Sequence, residues 1–428
     1  MIRAIKSFNP GNISLFKKKL FKWSEKFKTS VYLDSNNYSN RLGNVDTLLA
    51  ADPHTKLPYT DKNSLVKLDR YINKTSDWLF GYFSYDLKNE IEDLKSDNSS
   101  EFYFPNIFFF QPKKIWIIKS NSVEAQYLNE AEIENDWKQI NSIDILKVSV
   151  NEMCVKLKPK LSKIDYENKI KKILNHINRG DIYEANFCME WLSKDSLIKP
   201  ENVYEKLNHI SKAPMSVFLK QNNIYLLSTS PERFIKRIGN KIITQPIKGT
   251  SRRDFDKSVD LKLMKELSVN LKERSENIMI VDLVRNDLSR FSFPGSVKVS
   301  ELCKVYPFEQ VHQMISTVES EIETKTSVVD IIKSTFPMGS MTGAPKIKAL
   351  NIIEDLEVSK RGLYSGAVGY IDPIGNFDFN VVIRSLIYDS VNKNLSFHVG
   401  SAITSNSNPV QEYEECLLKA QPMISVLK

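Results

Sequence analysis

The feature that most constrains the fold is the way strand-like segments follow one another along the chain. Apolar runs such as DWLFGYFSYDL and NIFFFQPKKIWIIKS are separated by short polar stretches, and NNIYLLSTSPERFIKRIGNKIITQPIKGT reads as strands joined by tight turns. Strands joined by short turns pair antiparallel, whereas parallel strands need long crossovers. Regular strand–helix–strand crossovers are few, so the pattern predicts an α+β fold with antiparallel sheets.

The pattern changes near residues 150 to 165. Before that point β-like runs predominate. After it, SKIDYENKIKKILNHINRGDIYEANF predicts a capped helix that stops near Gly180 and leads into a strand, and helices then alternate with strands. We therefore expect a β-rich N-terminal region, residues 1–150, and a second region, residues 160–428.

Composition excludes several classes of protein. The formal charge of +8 arises from 60 basic and 52 acidic residues spread along the 428-residue chain, without the concentrated basic stripe of a nucleic-acid binder. The four cysteines are scattered and show no metal-ligand spacing, which is typical of reduced thiols in the cytoplasm. No apolar stretch is long enough to span a membrane or to act as a signal peptide. We expect a soluble cytoplasmic protein with no nucleic-acid or membrane partner.

A hairpin with its tip at Gly239 and Asn240 brings a carboxyl and an amine together. Glu232 and Lys248 lie eight residues on either side of Asn240, so a three-residue or bulged loop makes them a facing pair, whereas a strict two-residue loop shifts the register by one. We expect the bulged form. The pair is either an ordinary cross-strand ion pair or part of a reactive site.

Two helical segments carry paired carboxylates. Glu273 and Glu276 in NLKERSENIMIVDLVRND are three residues apart, and Glu412 and Glu415 in PVQEYEECLLKAQ repeat that spacing, with Lys419 one turn further. Like charges so placed repel. Two such faces suit a hard dication such as Mg²⁺, and the alternative is solvated surface with a Glu415–Lys419 ion pair.

The segment FPMGSMTGAPKIKA predicts an anion site at the start of a helix. Thr342 is expected to cap a helix whose first turn contains Pro345, and free backbone N–H groups there suit a carboxylate or phosphate. Lys346 supports this interpretation, because a cation in the first turn is unfavourable unless an anion lies nearby. The segment does not match a nucleotide phosphate loop.

Three further residues each allow two interpretations. His312 is a structural histidine or a site residue. Arg384, a charge within the apolar strand-like run FNVVIRSLIY, forms an internal salt bridge or clamps a carboxylate. Gly400 in HVGSAITSNS follows a strand and marks either a simple turn or a place where backbone N–H groups approach an anion.

Taken together, these segments resemble the chorismate-utilising enzymes, a family that includes anthranilate, aminodeoxychorismate, isochorismate and salicylate synthases. The matching blocks occur in the family's order between about residue 160 and residue 428, and they are SPERF, PIKGT, ERSENIMIVDLVRND, VHQMISTVES, GSMTGAPKIKA, LYSGAVGY, VVIRSL and a C-terminal ExxExxxK. GYFSYDL extends the likeness upstream. The resemblance implies a two-layer sandwich of large antiparallel sheets with helices outside, in which residues 160–428 form the chorismate-binding catalytic domain and residues 1–150 are interwoven with it.

The resemblance also implies roles for the candidate residues. Glu276 and Glu415 would hold Mg²⁺, with Glu273 and Glu412 beside them. Glu232 would be the general acid that protonates the departing 4-hydroxyl. The pocket for chorismate would be lined by Thr342, Gly343, His312, Tyr364, Arg384, Gly400, Ser401, Ala402 and Lys419. Ala402 stands where similar proteins often have a third glycine.

Lys248 determines which reaction the resemblance implies. Similar anthranilate synthases have a small residue at this position, whereas similar aminodeoxychorismate synthases have a lysine whose amine adds at C2 before ammonia attacks C4. The implied product is 4-amino-4-deoxychorismate, on the way to para-aminobenzoate and folate. Because attack requires a neutral amine, we expect the pocket to lower the pKa of Lys248.

The residue at position 184 and the setting of the cysteines also bear on this interpretation. Glu184 occupies a position where the water-using relatives have a lysine base, which argues against isochorismate or salicylate formation and leaves its own role unassigned. No cysteine lies in the GxCxG setting of a glutaminase nucleophile, so a separate glutamine amidotransferase is expected to supply ammonia. The alternatives are anthranilate synthase component I and a non-catalytic chorismate-binding relative.

Overall fold

The computed structural model describes residues 2–38, 45–59, 62–120, 122–145 and 153–428. Its α-helices are α1 (Ile13–Ser24), α2 (Ser64–Thr75), α3 (Lys88–Ile91), α4 (Ile133–Ser142), α5 (Lys163–Asn178), α6 (Pro200–Ser211), α7 (Lys257–Val269), α8 (Leu271–Ser289), α9 (Val328–Thr335), α10 (Lys346–Leu356) and α11 (Pro409–Ser425). Its strands are β1 (Ala4–Phe8), β2 (Thr29–Asp34), β3 (Thr47–Lys56), β4 (Leu79–Phe83), β5 (Ile107–Lys119), β6 (Ser122–Tyr127), β7 (Lys158–Pro159), β8 (Glu184–Ser193), β9 (Met215–Gln221), β10 (Ile224–Ser230), β11 (Arg233–Ile238), β12 (Lys241–Gln245), β13 (Ile247–Arg252), β14 (Lys298–Pro307), β15 (Val311–Glu321), β16 (Gly343–Ala344), β17 (Ala367–Ile371), β18 (Phe377–Asn380), β19 (Ser385–Asp389) and β20 (Asn394–Ile403).

Every ladder between these strands is antiparallel, which confirms the predicted α+β class. One layer runs β1, β6, β5, β3, β2, β9, β10, β19, β20, β8, with β7 and β16 on the far edge of β8. The other runs β5, β4, β17, β18, β11, β12, β15, and β15 also pairs with β13 and β14.

The long strand β5 belongs to both layers, and its side chains show how the layers pack. Phe108 and Ile117 face an inner apolar core that also contains residues of β2, β4, β9 and β17. The alternate residue Phe109 faces an outer core, and Trp116 faces a different one. Because successive strand residues point to opposite faces, two sheets lie face to face around the inner core. This confirms the two-layer sandwich.

Helices cover both outer faces of the sandwich. Residues of α1, α4, α5, α6, α10 and α11 join one outer core, and residues of α2, α8 and α9 join the other. Helix α5 begins after its cap Ser162, whose side chain accepts the Asp165 N–H, and Gly180 follows with a φ of +80°. The helix predicted for this segment is confirmed.

The predicted boundary at residue 150 falls in residues 146–152, outside the described part of the chain. Strands before and after it pair directly, β2 with β9 and β4 with β17. Among the described residues, no helix combines the length and apolarity needed to cross a lipid bilayer.

The predicted facing pair across the β11–β12 hairpin is wrong. The hairpin turns at its expected tip, but the register then shifts, and Arg233 lies opposite Gln245. Strand β12 ends there, and Lys248 lies on β13, which pairs with β15 instead. Pro246 separates the two strands, since proline cannot donate to a ladder. The expected register assumed one unbroken strand through this proline.

Candidate active site

Lys248 is buried and paired with Glu184. Its Nζ lies 2.9 Å from Oε1 of Glu184, and the two side chains are 11% and 1% exposed. The other carboxylate oxygen of Glu184, Oε2, is buried without a hydrogen-bond partner. Glu184 opens β8 and pairs in the sheet with Ala344 of β16, so its position is set by the sheet. Sequence spacing left Glu184 unassigned because 64 residues separate it from Lys248.

The expectation of a lowered pKa for Lys248 is wrong for this structure. Burial by itself lowers the pKa, but the charges of Glu184 and Glu276 and the hydrogen bond to Glu184 outweigh burial and raise it. The ammonium form is therefore favoured at rest, and any attack by this amine requires a group that accepts its proton.

Glu232 lies in the short segment before β11, in a buried position that favours its protonated form. It is 5% exposed, and the Ser340 hydroxyl donates a 2.7 Å hydrogen bond to Oε1. Burial raises the pKa of Glu232 to about 7, against the opposing effects of Ser340 and Lys248. A carboxyl with this pKa is suited to general acid chemistry near neutral pH. Ser340 was not predicted, because it lies 108 residues from Glu232 in sequence.

The two acidic helix faces lie next to each other. Lys272 Nζ lies 3.9 Å from Oε1 of Glu276 on its own helix, α8, and 3.9 Å from Oε1 of Glu412 on α11. Glu273 lies beside Gly249, where an added Cβ would stand 3.2 Å from Oε2 of Glu273. The acidic faces therefore border the strand that carries Lys248. Lys272 was missed, although its spacing of four residues before Glu276 places it on the same helix face.

Burial next to one another changes the pKa values of these carboxylates. Burial, aided by Glu273, raises the pKa of Glu276 to about 7, and Oε1 of Glu276 is buried without a hydrogen-bond partner. Burial also raises the pKa of Glu273. Glu415 differs, because attraction to Lys419, 2.6 Å away, outweighs its burial and lowers its pKa.

The donor set fits a hard divalent cation. It offers carboxylate oxygens from two helices, and one of them is a buried acceptor in need of a partner. Within the part of the chain that the structure describes, no three His, Cys, Asp or Glu side chains already form a closed metal-binding group. An incomplete protein shell suits Mg²⁺, which binds one or two carboxylates and completes its coordination with substrate oxygens and water.

Arg384 lies outside any strand, so the prediction that it lies within one is wrong. It stands between β18 and β19 with a φ of +53°, an uncommon conformation for a side chain of this size. The Arg384 guanidinium makes no ion pair with another described residue. Burial lowers the pKa of Arg384, while Tyr364 and Glu415 oppose that effect. Tyr364 is buried and accepts a hydrogen bond from Cys188 at 3.8 Å. The internal salt bridge is therefore not seen for Arg384.

Gly400 lies inside β20, so the position after a strand is wrong, and of the two alternatives for Gly400 the simple turn is excluded. A Cβ at this position would stand 2.5 Å from Sγ of Cys188, which explains the glycine. The Gly400 carbonyl accepts a hydrogen bond from Lys419 Nζ at 2.9 Å. Gly400 lies opposite Cys188 of β8, but the Cys188 N–H donates to Glu357 instead, so the two residues form a non-hydrogen-bonded pair of the sheet.

In an antiparallel sheet, hydrogen-bonded and non-hydrogen-bonded pairs alternate along a strand, and this alternation sets the N–H directions of the neighbours of Gly400. Ala402 lies opposite Asn186, whose N–H bonds the Thr342 carbonyl rather than β20. The N–H groups of Gly400 and Ala402 therefore point to the edge of β20 that no described strand covers beyond Ser396. Ser401 faces the other way in the ladder, and its hydroxyl lies 2.9 Å from that of Tyr166.

The predicted cap of α10 is wrong, and Lys346 does not support the anion site predicted there. Thr342 is fully buried and bonds the carbonyls of Met338 and Gly339, and α10 begins after Pro345 without a side-chain cap. Lys346 already has its anion, because Nζ lies 2.7 Å from Oδ2 of Asp287 and both side chains are buried.

Gly343 and His312 lie on strands at the border of the site. Gly343 of β16 packs so closely on β8 that a Cβ would stand 2.1 Å from the Glu184 carbonyl oxygen. His312 is 1% exposed on β15, its Nε2 lies 2.9 Å from Oδ1 of Asp260, and its Nδ1 is buried without a partner. The structural pairing of His312 thus leaves one ring nitrogen available.

Comparison with known proteins decides the family. The profile of the chorismate binding enzymes matches residues 23–425. The chain belongs to this chorismate-utilising family. Among curated family members, an "Anthranilate synthase component I-like protein" of Synechocystis is 31% identical over 86% of this chain and 76% of its own length. "Aminodeoxychorismate synthase component 1" of Salmonella typhimurium is 30% identical over 81% of this chain and 76% of its own.

A solved structure supports the fold of this family member. Anthranilate synthase component I from Streptococcus pneumoniae superposes with a TM-score of 0.77 at 22% identity, covering 91% of this chain and 93% of the other. The two enzyme names among the relatives stand at nearly equal identity. The choice between the family's reactions therefore depends on the residues of the site.

Proposed function

We propose that this chain is component 1 of an aminodeoxychorismate synthase, converting chorismate and ammonia to 4-amino-4-deoxychorismate. The observation that carries the proposal is the buried amine of Lys248, held among the carboxylates of Glu184, Glu276 and Glu232. A lysine in this setting can act as a nucleophile once a neighbouring group has accepted its proton.

The proposed reaction consists of two displacements. The neutral amine of Lys248 bonds to C2 of chorismate, the two conjugated ring double bonds shift toward C4, and the C4–oxygen bond breaks. Glu232 gives its proton to the departing oxygen, which leaves as water. Ammonia then bonds to C4, both double bonds shift back, and the C2–nitrogen bond breaks, which releases Lys248. A pKa of about 7 lets Glu232 hold and release a proton near neutral pH, which supports its role as the acid.

Other residues would bind and orient the substrate. The unpaired guanidinium of Arg384 and the N–H groups of Gly400 and Ala402 are suitable donors for carboxylates. Glu276 and Glu415, with Glu273 and Glu412 beside them, would hold Mg²⁺, which would bind the ring carboxylate and offset the negative charge around the amine. The relatives' designation "component 1" agrees with a partner subunit, and we propose that a glutamine amidotransferase supplies the ammonia.

The test is incubation of the full chain with chorismate, Mg²⁺ and ammonium. We expect aminodeoxychorismate by mass, and para-aminobenzoate after a lyase is added. In a parallel measurement independent of activity, Mg²⁺ should raise the melting temperature of the wild-type protein and not that of Glu276→Gln. The matched control is Glu266→Gln, which alters an exposed carboxyl on α7.

Lys248→Ala separates the two amine-forming reactions. It should abolish aminodeoxychorismate formation and leave the Mg²⁺-dependent thermal shift intact, because Lys248 is not among the proposed metal ligands. The control Lys241→Ala, at the half-exposed end of the neighbouring hairpin, should retain activity. Direct release of anthranilate by the wild-type protein would contradict the proposal and favour anthranilate synthase.

A further inference from the structure

The carboxylate of Glu184 has no role in the steps above. We propose that Glu184 is a catalytic base that removes a proton from the Lys248 ammonium before the amine attacks, an inference that rests on the proposed function. Its Oε1 is 2.9 Å from the reacting nitrogen, and its Oε2 is buried without a partner. The carboxylate therefore has capacity for a proton on either oxygen.

The surroundings of Lys248 single out this residue. Five carboxylates interact electrostatically with the Lys248 ammonium. They are Glu184 from β8, Glu273 and Glu276 from α8, Glu415 from α11 and Glu232 from the segment before β11. Among the described residues, Glu184 alone lies within ion-pair distance of Nζ. Direct proton transfer requires hydrogen-bond contact, and only the Glu184 carboxylate provides it.

The sheet holds Glu184 in place for this role. Glu184 and Ala185 pair with β16, and the close approach of Gly343 to the Glu184 backbone leaves no room for a side chain between the strands. The side chain is 1% exposed, so protein atoms surround the carboxylate. A base on a rigid strand keeps a constant distance to the amine.

The proton and electron pairs balance without another reactant. An N–H bond of Lys248 breaks and an O–H bond of Glu184 forms, which frees the nitrogen lone pair for C2. When ammonia later bonds to C4, the lysine nitrogen leaves C2 as a neutral amine and recovers its proton from Glu184. Glu232 supplies the separate proton that leaves in water, and it regains a proton from the ammonium group that forms when ammonia bonds to C4. The two glutamates therefore act on different atoms.

The experiment follows the covalent adduct on Lys248 with chorismate and Mg²⁺ in the absence of ammonia, by intact mass at short times. Glu184→Gln should form the adduct about a hundredfold more slowly near neutral pH, because an amide cannot accept the proton. Its rate should rise steeply at higher pH, where the amine loses its proton to solvent. Chorismate binding should remain unchanged. The matched control is Glu190→Gln, which alters another buried glutamate of β8, paired with Lys160 at 2.7 Å.

A wild-type rate and pH profile in Glu184→Gln would overturn this role, since the amide oxygen can still hold the ammonium in place. Glu184→Asp keeps a carboxylate but places it further from Nζ, so it should show the wild-type pH profile at a reduced rate. If Glu184→Asp instead shows the pH profile of Glu184→Gln, proton transfer to this carboxylate is contradicted. If the wild-type protein forms neither adduct nor product, the proposed function fails as well. An active wild type with an unaffected Gln variant overturns the role of Glu184 alone.

Discussion

At the scale of single residues, two carboxylates of the site differ because of their surroundings. Glu232 is buried with the Ser340 hydroxyl as its hydrogen-bond donor, and burial raises its pKa to about 7. Glu184 is equally buried but contacts the Lys248 ammonium directly. Opposed environments of this kind separate an acid from a base.

Glu232 should also make stability depend on pH. Its pKa rises from 4.5 to about 7 in the fold, so in that window the native protein holds a proton that the unfolded chain has lost. Stability from this group is therefore present below pH 4.5 and is lost as pH rises through about 7. Glu232→Gln should be more stable than wild type above that range by on the order of 1–3 kcal/mol, and inactive.

Urea unfolding of both proteins across this pH range measures the difference, which should vanish at the acidic end. Glu319→Gln, on the adjoining strand β15 and paired with Lys241 at 2.7 Å, is the control. A Glu232→Gln variant that is less stable than wild type at alkaline pH would show that ionised Glu232 stabilises the fold.

At the scale of elements, helix α8 serves two sites. The first half of α8 carries Glu276 and lies beside the acidic face of α11. About three turns further along α8, Asp287 pairs with Lys346 of α10. The cation at the start of α10 thus neutralises a buried acid of the protein itself. This contact joins α10, which covers one outer face of the sandwich, to α8, which covers the other.

Lys346→Met should lower the free energy of unfolding by about 3–5 kcal/mol, because it leaves Asp287 buried without its counter-charge. Chorismate binding, measured by calorimetry on the folded protein, should be retained. Lys348→Met, which alters an exposed lysine of the same helix, should change neither quantity. Loss of binding with unchanged stability would instead assign Lys346 to the substrate.

At the scale of the whole molecule, the N-terminal strands are part of the sandwich. Strand β5 joins the two layers, and β2 and β4 pair with strands from the second half of the chain. Removal of these strands would expose the inner core. The sheet therefore depends on both regions of the chain.

Residues 160–428 alone should not fold, because they would present the unpaired edges of β9 and β17 and one side of the inner core to water. Circular dichroism and limited proteolysis of this fragment measure the effect. Addition of the separate fragment 1–159 should restore protease resistance, and the intact chain is the control. A fragment that folds and binds chorismate by itself would contradict the prediction.

The sequence alone determined the features that depend on local pattern. Short turns between apolar runs predicted antiparallel sheets, and helical spacing put Glu273 with Glu276 and Glu412 with Glu415 on common faces. The two-layer arrangement and the site roles came from resemblance to the family. Period and turn chemistry are read over a few residues, so these predictions required no knowledge of distant contacts.

Only the tertiary structure decided which groups meet. Lys248 pairs with Glu184, 64 residues away, rather than with Glu232 across its hairpin, and Lys346 pairs with Asp287, 59 residues away, rather than with a ligand. The register beyond Pro246 and the strand position of Gly400 were also settled by pairing with distant strands. A buried charge takes the counter-charge that packing brings within reach, and sequence spacing carries no record of that distance.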